Sequence, residues 1–297
     1  MRDRLREAIK GHDVEYVDIR IEDQVNTWVR FRGHELDSIG SSRTLGGIVR
    51  ALYKGGWGYA TFNDLSDLPK RVKDACLTAR LVGNSTTHFA IVDPVVDTIK
   101  ANLIKDFRQV PLADKKALME EYNQIILGYH PKIQTSSVRY ADSFKTIWFA
   151  TSEGTYIEEE VPDVNIITSA TARDGDIVQN GFEIGGAIDG YQGVEGFHEQ
   201  AKASAQKAVD LLSAPPIKGG KYTVITDPWM TGTFTHEAFG HLSESDFVYE
   251  NPRMQELMQL GKRFGTEGLN IIDDGSYPGG LGTHRYDSEG VRMRKNY

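Results

Sequence analysis

Three side chains in the last quarter of the chain have the types and spacing of a metal site. His236 and His241 flank Glu237 in the run HEAFGH. Neutral imidazole is the commonest protein ligand for Zn²⁺, and a carboxylate beside the metal can accept a proton from a metal-bound water. The pattern therefore predicts zinc held by the two histidines, with Glu237 as the general base in attack on a carbonyl.

The spacing of this motif is H-E-x-x-x-H. In the usual H-E-x-x-H pattern the two histidines lie about 40° apart around a helix. One more residue leaves the rings about 140° apart on an ideal helix. Both can reach one ion only if the helix widens locally, as at a π-bulge, or ends there. Gly240, just before the second histidine, is a residue type that tolerates such a distortion.

The sequence around the motif favours a metal role over a chance occurrence. Such a pattern arises in roughly one chain of this length in a hundred, and a surface helix can carry it without metal. Here the run YTVIT at 222–226 is typical of a buried strand. Asp227-Pro228 then indicates a helix start, with Asp as N-cap and Pro at the first helical position. The motif is thus predicted about two turns into a helix that follows a strand.

The N-terminal region, residues 1–213, predicts an α+β fold of antiparallel sheets with flanking helices. Alternating apolar and polar residues indicate strands, and apolar faces of helical period indicate helices. The predicted elements are a strand meander over 15–62, a second strand set over 134–184, and helices over about 64–82, 111–127 and 197–212.

Two stretches are predicted to connect these parts. Residues 83–108 lack clean periodicity and are expected to link two parts of the N-terminal region. The run APPIKGG makes 214–220 the clearest linker. Residues 221–297 are then expected to begin a second domain, which carries the metal helix.

Composition restricts the partners and the compartment. The net charge of −8 argues against nucleic acid or an anionic membrane as the main partner, because both select basic surfaces. No run approaches the 18 apolar residues or so that a membrane span needs. The charged N-terminus, MRDRLRE, is unlike a signal peptide, and the single cysteine, Cys76, fits a reducing compartment. We expect a cytoplasmic protein, with Cys76 buried on a helix face.

The runs HEAFGHLSESD and IIDDGSYPGGLGTHRYDSEG resemble the TldD/PmbA family of zinc metallopeptidases, in its TldD-like branch. The resemblance implies a Zn²⁺ cofactor and an unfolded or extended peptide substrate, held by strand addition to a sheet. It also implies a homodimer, or a heterodimer with a PmbA-like subunit that lacks the histidines. We expect Glu237 to be catalytic and His236 and His241 to bind the metal.

The third zinc ligand of that family is a cysteine in its C-terminal part. This chain stops at Tyr297, soon after the second run, so the C-terminal part is expected to be missing. Cys76 cannot take this role, because it lies in a different part of the chain. We therefore expect weak zinc binding and low activity. The alternative is a catalytically inactive or incomplete subunit that binds peptides or serves assembly.

Several further residues are candidates around the metal. Glu244 and Asp246 are candidates for orienting the histidines by hydrogen bonds, and His284 is a weaker candidate ligand. Four acidic residues could line a site or could equally form turns: Asp273, Asp274, Asp287 and Glu289.

Overall fold

The computed structural model describes residues 1–87 and 89–297. The chain divides into two compact units. The first comprises Met1–Ala214 together with Pro278–Leu281 and Tyr286–Val291. The second comprises Pro215–Tyr277, Gly282–Arg285 and Arg292–Tyr297. Each unit is described by itself.

The first unit is built on a seven-stranded sheet. Its strands are β1 (Tyr16–Arg32), β2 (Glu35–Tyr53), β3 (Gly56–Phe62), β4 (Val96–Ile99), β5 (Ile133–Thr151), β6 (Tyr156–Asp174) and β7 (Ile177–Ala187). They follow the order β3-β2-β1-β5-β6-β4, with β7 also paired to β6. Gly33, Gly55 and Gly175 have positive φ at the hairpin turns, a conformation that glycine adopts without steric cost.

The two strand sets form one continuous sheet. β1 pairs antiparallel with β5, from Asp18 opposite Thr151 to Arg32 opposite Ser137. The sequence pattern did not indicate this pairing, because hydrophobic alternation reports which face a strand buries and not which strand it pairs with.

The stretch 83–108 was predicted to be a linker, but it contains a strand. It contains β4, which pairs parallel with β6 from Val96 opposite Tyr156 to Ile99 opposite Glu159. A four-residue strand is too short to show a period of its own, so the sequence pattern did not indicate it.

Four helices cover one face of this sheet: α1 (Arg2–Ile9), α2 (Leu68–Val82), α3 (Leu112–Gly128) and α4 (His198–Leu211). Val17, Ile19 and Ile21 of β1 share a buried cluster with residues of α1 and α2. Further along the strand, Val29 and Phe31 share another with residues of α3 and α4. Because alternate strand residues face opposite sides, these odd-numbered positions define the helix-covered face. The α+β prediction is confirmed.

The second unit consists of short elements: α5 (Pro228–Thr235), a π-helical turn (His236–Gly240), a 3₁₀ turn (His241–Ser243), α6 (Ser245–Glu250), α7 (Pro252–Leu257), β8 (Asp273–Asp274) and β9 (Lys295–Asn296). The predicted buried strand over 222–226 is wrong, since this run is irregular and exposed. Its apolar residues have no pairing partner among the described strands, and a strand persists only where its backbone groups are paired. No helix in the described part of the chain is long and apolar enough to cross a membrane.

Candidate metal centre

The helix that carries the motif begins where the sequence predicts. Asp227 is the N-cap of α5, and its Oδ1 accepts a hydrogen bond of 2.7 Å from the backbone N–H of Met230. Pro228 occupies the first turn, where its missing N–H costs nothing. The cap fixes the helix start two turns before His236, and so fixes where the motif falls on the helix.

A π-helical turn follows α5 at the motif itself. It covers His236–Gly240, and the backbone N–H of His241 donates to the carbonyl of His236, five residues earlier. The wider turn brings the two imidazoles together, with ring centroids 4.3 Å apart and ring planes at 66°. This is the distortion that the six-residue motif requires.

The backbone of this turn does not require glycine at position 240. The φ of −54° at Gly240 is ordinary for a right-handed helix, so the turn does not use glycine's freedom to adopt positive φ. A Cβ at this position would lie 3.7 Å from Nδ1 of His236, an ordinary contact. The distortion therefore comes from the hydrogen-bond pattern, and not from a conformation that only glycine allows.

One group of His, Cys, Asp or Glu side chains among the described residues has the geometry to share a metal ion. It consists of His236, Glu237 and His241, whose candidate ligand atoms lie within 4.8 Å of one another. All three residues are exposed. Two imidazoles and a carboxylate are donors that zinc prefers, so the group fits Zn²⁺.

Glu244 fixes the orientation of one imidazole. Its Oε1 lies 2.7 Å from Nδ1 of His241. A carboxylate on Nδ1 favours the tautomer with the proton there and leaves Nε2 free to bind a metal. Nε2 faces Glu237, with 3.8 Å between it and the Oε2 of that residue.

Asp246 does not join this group. Its Oδ1 accepts from the N–H of Phe247 in the first turn of α6. His284, the weaker candidate ligand, is also outside the group of three; its backbone N–H donates to the carbonyl of Gly275.

Of the four acidic candidates near the end of the chain, Asp274 and Asp287 accept hydrogen bonds from residues close to them in sequence. Asp274 accepts from the backbone N–H and the hydroxyl of Ser276, and these hydrogen bonds lower the pKa of Asp274. Asp273 lies beside it in β8. Asp274 is thus a turn former.

Asp287 and Glu289 belong to the first unit. Oδ1 of Asp287 accepts from the backbone N–H groups of Glu289 and Val291, which closes a turn. Glu289 approaches Arg50 to 3.9 Å. The sequence left open whether these residues line a site or form turns. The geometry shows that Asp287 forms a turn.

Cys76 is buried in the core of the first unit, where burial raises the pKa of its thiol. A protonated, inaccessible thiol is a poor nucleophile and a poor ligand. The prediction that Cys76 is a buried hydrophobe on a helix face is confirmed.

Comparison with known families agrees with this geometry. Three domain models of the PmbA/TldA metallopeptidases match along the chain: domain 1 over residues 17–100, the central domain over 105–212 and the C-terminal domain over 219–297. The chain belongs to the PmbA/TldD family. The family predicted from the two sequence runs is therefore confirmed.

Relatives of this PmbA/TldD protein are named metalloproteases. A Synechocystis metalloprotease is 43% identical over 278 residues, covering 93% of this chain and 60% of the relative. A zinc metalloprotease TldD homolog of Saccharolobus solfataricus is 28% identical, covering 83% of this chain and 54% of the relative. The chain thus spans about 60% of the length of the first of these curated relatives.

A solved structure shows the same fold. It is that of a candidate modulator of DNA gyrase from Bacteroides thetaiotaomicron, with a TM-score of 0.84 and 15% identity. The match covers 99% of this chain and 68% of that one. At this identity the likeness establishes the fold alone.

Sequence reasoning found the metal group but missed an arrangement in the first unit. Trp28, Arg30 and Arg139 line one cavity on the sheet. Nothing in the sequence places Arg139 beside Arg30, because their proximity depends on the pairing of two strands more than a hundred residues apart.

Proposed function

We propose that this chain supplies the metal helix of a zinc-dependent peptidase of TldD type. The observation that supports this most directly is the π-helical turn, which brings His236, Glu237 and His241 within 4.8 Å of one another. In this proposal His236 and His241 hold the metal. When bound, zinc supplies Lewis-acid activation of a water molecule and of the scissile carbonyl.

Glu237 is the general base in this proposal. Its exposed carboxylate takes a proton from the attacking water as the water oxygen bonds to the carbonyl carbon. The same carboxyl then gives that proton to the amide nitrogen as the C–N bond breaks. Glu244 holds His241 with Nε2 towards Glu237, so the base and the ligand stay on one side of the helix.

The substrate and the assembly are proposals carried from the family resemblance. The substrate is an unfolded or extended peptide, and the assembly is a homodimer or a heterodimer with a PmbA-like subunit. A catalytic zinc site normally has three protein ligands, and the group found here offers two imidazoles besides the base. The third ligand is proposed to come from outside this group, as the family's cysteine does.

The test compares Glu237→Gln with the natural sequence. Zinc content is measured by emission spectroscopy, and cleavage of an unfolded polypeptide is followed with and without chelator. Glu237→Gln should keep the metal and lose turnover by at least about a hundredfold. Glu256→Gln, an exposed glutamate of α7, is the matched control and should cleave normally. Turnover that survives Glu237→Gln, or that no chelator affects, would count against the proposal.

A second candidate function is a peptide-binding or assembly subunit without catalysis of its own. It is favoured by the same two-imidazole donor set, which is incomplete for catalytic zinc. The two candidates differ in a simple observation: the subunit would show cleavage only after a second protein is added, whichever variant of Glu237 it carries.

A further inference from the structure

The sheet of the first unit has a cavity on the face that α1–α4 do not cover. Its volume is about 230 Å³, and its lining comes from β1, β2, β5 and β6. Trp28 and Arg30 are even-numbered residues of β1 and so point away from the helix-covered face. The lining side chains that matter here are those of Trp28, Arg30, Ser38, Arg139, Asn165 and Ile167.

Two arginines face each other at this cavity. Arg30 and Arg139 are directly opposite in the antiparallel pairing of β1 with β5. Their Cβ atoms are therefore about 5 Å apart, a placement in which like charges destabilise a sheet. Arg30 forms an ion pair with Asp37, whose Oδ2 lies 3.7 Å from Nη1 of Arg30. Arg139 is exposed, and within the described part of the chain no ion pair or hydrogen bond engages it.

The neighbouring row of side chains makes room beside these cations. Trp28 is opposite Gly40 on one side and Ala141 on the other, and Ala141 is opposite Asn165. A Cβ on Gly40 would lie 2.7 Å from Cζ2 of Trp28, so the indole leans over this glycine. The small side chain of Ala141 therefore leaves space between the indole and the amide of Asn165.

The amide of Asn165 retains hydrogen-bonding capacity towards the cavity. One of its N–H groups donates to Oδ1 of Asp163 at 3.0 Å. This leaves a second N–H and the amide oxygen without a bond to another described side chain. The cavity therefore combines two guanidinium groups, a spare amide and an indole face on a chain whose net charge is −8.

We infer that this cavity binds the carboxylate of an extended peptide, with Arg30 and Arg139 as its cationic partners. Guanidinium groups match carboxylates in shape and form charge-assisted hydrogen bonds with them. An anion between Arg30 and Arg139 also offsets the repulsion between two like charges, of which only Arg30 has a carboxylate partner among the described residues. The indole of Trp28 and the side chain of Ile167 contact the apolar part next to the carboxylate. The peptide as ligand rests on the proposed function.

The test uses four fluorescent octapeptides of one sequence, read by fluorescence anisotropy. One has a free C-terminal carboxylate and no acidic side chain, the second is its C-terminal amide, and the third is an amide with one central glutamate. The fourth is the amide with glutamine in that position. The protein carries Glu237→Gln, so that peptides are not cleaved during titration.

Peptides with a carboxylate should bind about tenfold more tightly than their neutral counterparts, and the effect should shrink as salt is raised. The first and third peptides separate a terminal carboxylate from a side-chain carboxylate. Arg139→Gln and Arg30→Gln should each remove most of the preference, and the double variant should bind all four peptides alike. Arg43→Gln is the matched control: Arg43 is opposite Val25 of β1 and so lies on the other face of the sheet.

Equal binding of acidic and neutral peptides by the unsubstituted cavity would overturn the inference, as would a preference that survives the double variant. The thermal midpoints of the variants show that they are folded. If Arg139→Glu changes the oligomeric state in light scattering while the peptide preference is unchanged, the face is a contact between copies and the inference fails. Peptide binding is measured here without turnover. If the natural sequence bound the acidic peptides but cleaved no peptide, the proposed peptidase function would be contradicted and the inference about the cavity would not.

Discussion

At the scale of single residues, the hydrogen bond between Glu244 and His241 is the contact that orients a candidate zinc ligand. It holds an exposed imidazole that would otherwise rotate freely. We expect Glu244→Gln to weaken zinc binding by about 10- to 100-fold, because the ligand loses a charged partner that fixes its tautomer and direction. Competition with a chromophoric chelator measures this affinity.

Asp246→Asn is the control for that measurement. Its carboxylate bonds to the start of α6, so zinc affinity should stay within about twofold of the unsubstituted chain. If both variants bind zinc equally well, the hydrogen bond to His241 has no part in metal binding.

A second residue-level feature is the buried ion pair between Lys115 and Asp142. Nζ of Lys115 lies 2.5 Å from Oδ2 of Asp142, and each side chain is only 3% exposed. The hydroxyl of Tyr140 donates to the same carboxylate oxygen. Burial, and then the charge of Asp142, raise the pKa of Tyr140, so the phenol remains a donor.

Lys115→Met should destabilise the protein by about 3–5 kcal/mol, because it leaves a buried carboxylate without its cation. Lys116→Met, which removes an exposed pair with Glu120 on the same helix, should cost at most about 0.5 kcal/mol. Urea unfolding of the two variants measures the difference. Adding Asp142→Asn to Lys115→Met removes the charge and keeps an acceptor for the Tyr140 hydroxyl, so it should recover much of the loss; no recovery would show that the charge was not the cause.

At the scale of elements, helix α4 packs closely against strand β7 at Gly181. A Cβ on Gly181 would lie 2.1 Å from the backbone carbonyl oxygen of Ser204 and 2.7 Å from the backbone nitrogen of Ala208. Backbone cannot move aside as a flexible side chain can, so the helix would have to shift. Ala205 and Ala208, fully buried small residues of α4, belong to the same packed core.

We therefore expect Gly181→Ala to destabilise the protein by about 1–3 kcal/mol through overpacking. Gly128→Ala, at the last position of α3 with nothing within 4 Å, is the matched control and should be neutral or slightly stabilising. Thermal unfolding followed by circular dichroism compares them. Equal midpoints for the two variants would mean that α4 adjusts to the added methyl at no cost.

At the scale of the whole molecule, the second unit leaves much apolar surface in water. Ile225 and Leu260 are fully exposed, and Trp229 and Phe234 are each 67% exposed. Surfaces of this kind are typical of interfaces or of chains that associate. We expect a dimer or a larger species at micromolar concentration, measured by light scattering, and a monodisperse monomer would contradict this.

Two double variants test which surface causes the expected self-association. Trp229→Ser with Phe234→Ser should shift the distribution towards smaller species, because these side chains lie in the second unit. Leu77→Ser with Leu81→Ser, exposed apolar residues of α2 in the first unit, should leave it unchanged. Equal shifts from both pairs would point to unspecific association.

Much of the local structure could be predicted because it depends on neighbours in sequence. Asp227 and Pro228 mark a helix start by hydrogen bonds within three residues. The spacing of His236 and His241 required a wider turn, and the π-helical turn is present. The hairpins around Gly33 and Gly175 follow the same principle, since the turn residues themselves supply the positive φ.

Tertiary structure alone decided which strands are neighbours. The sequence showed that β1 and β5 are strands but not that they pair, because alternation carries no information about the partner. That pairing places Arg139 opposite Arg30 and makes one sheet of two strand sets. The run 222–226 shows the converse: its apolar residues are typical of a strand, yet no described strand pairs with it and it is irregular. The sequence by itself thus determined the helix caps, the turns and the candidate metal-binding triplet, whose interactions are local. Pairing over long separations decided the sheet and its cavity, because such contacts form only when the chain closes on itself.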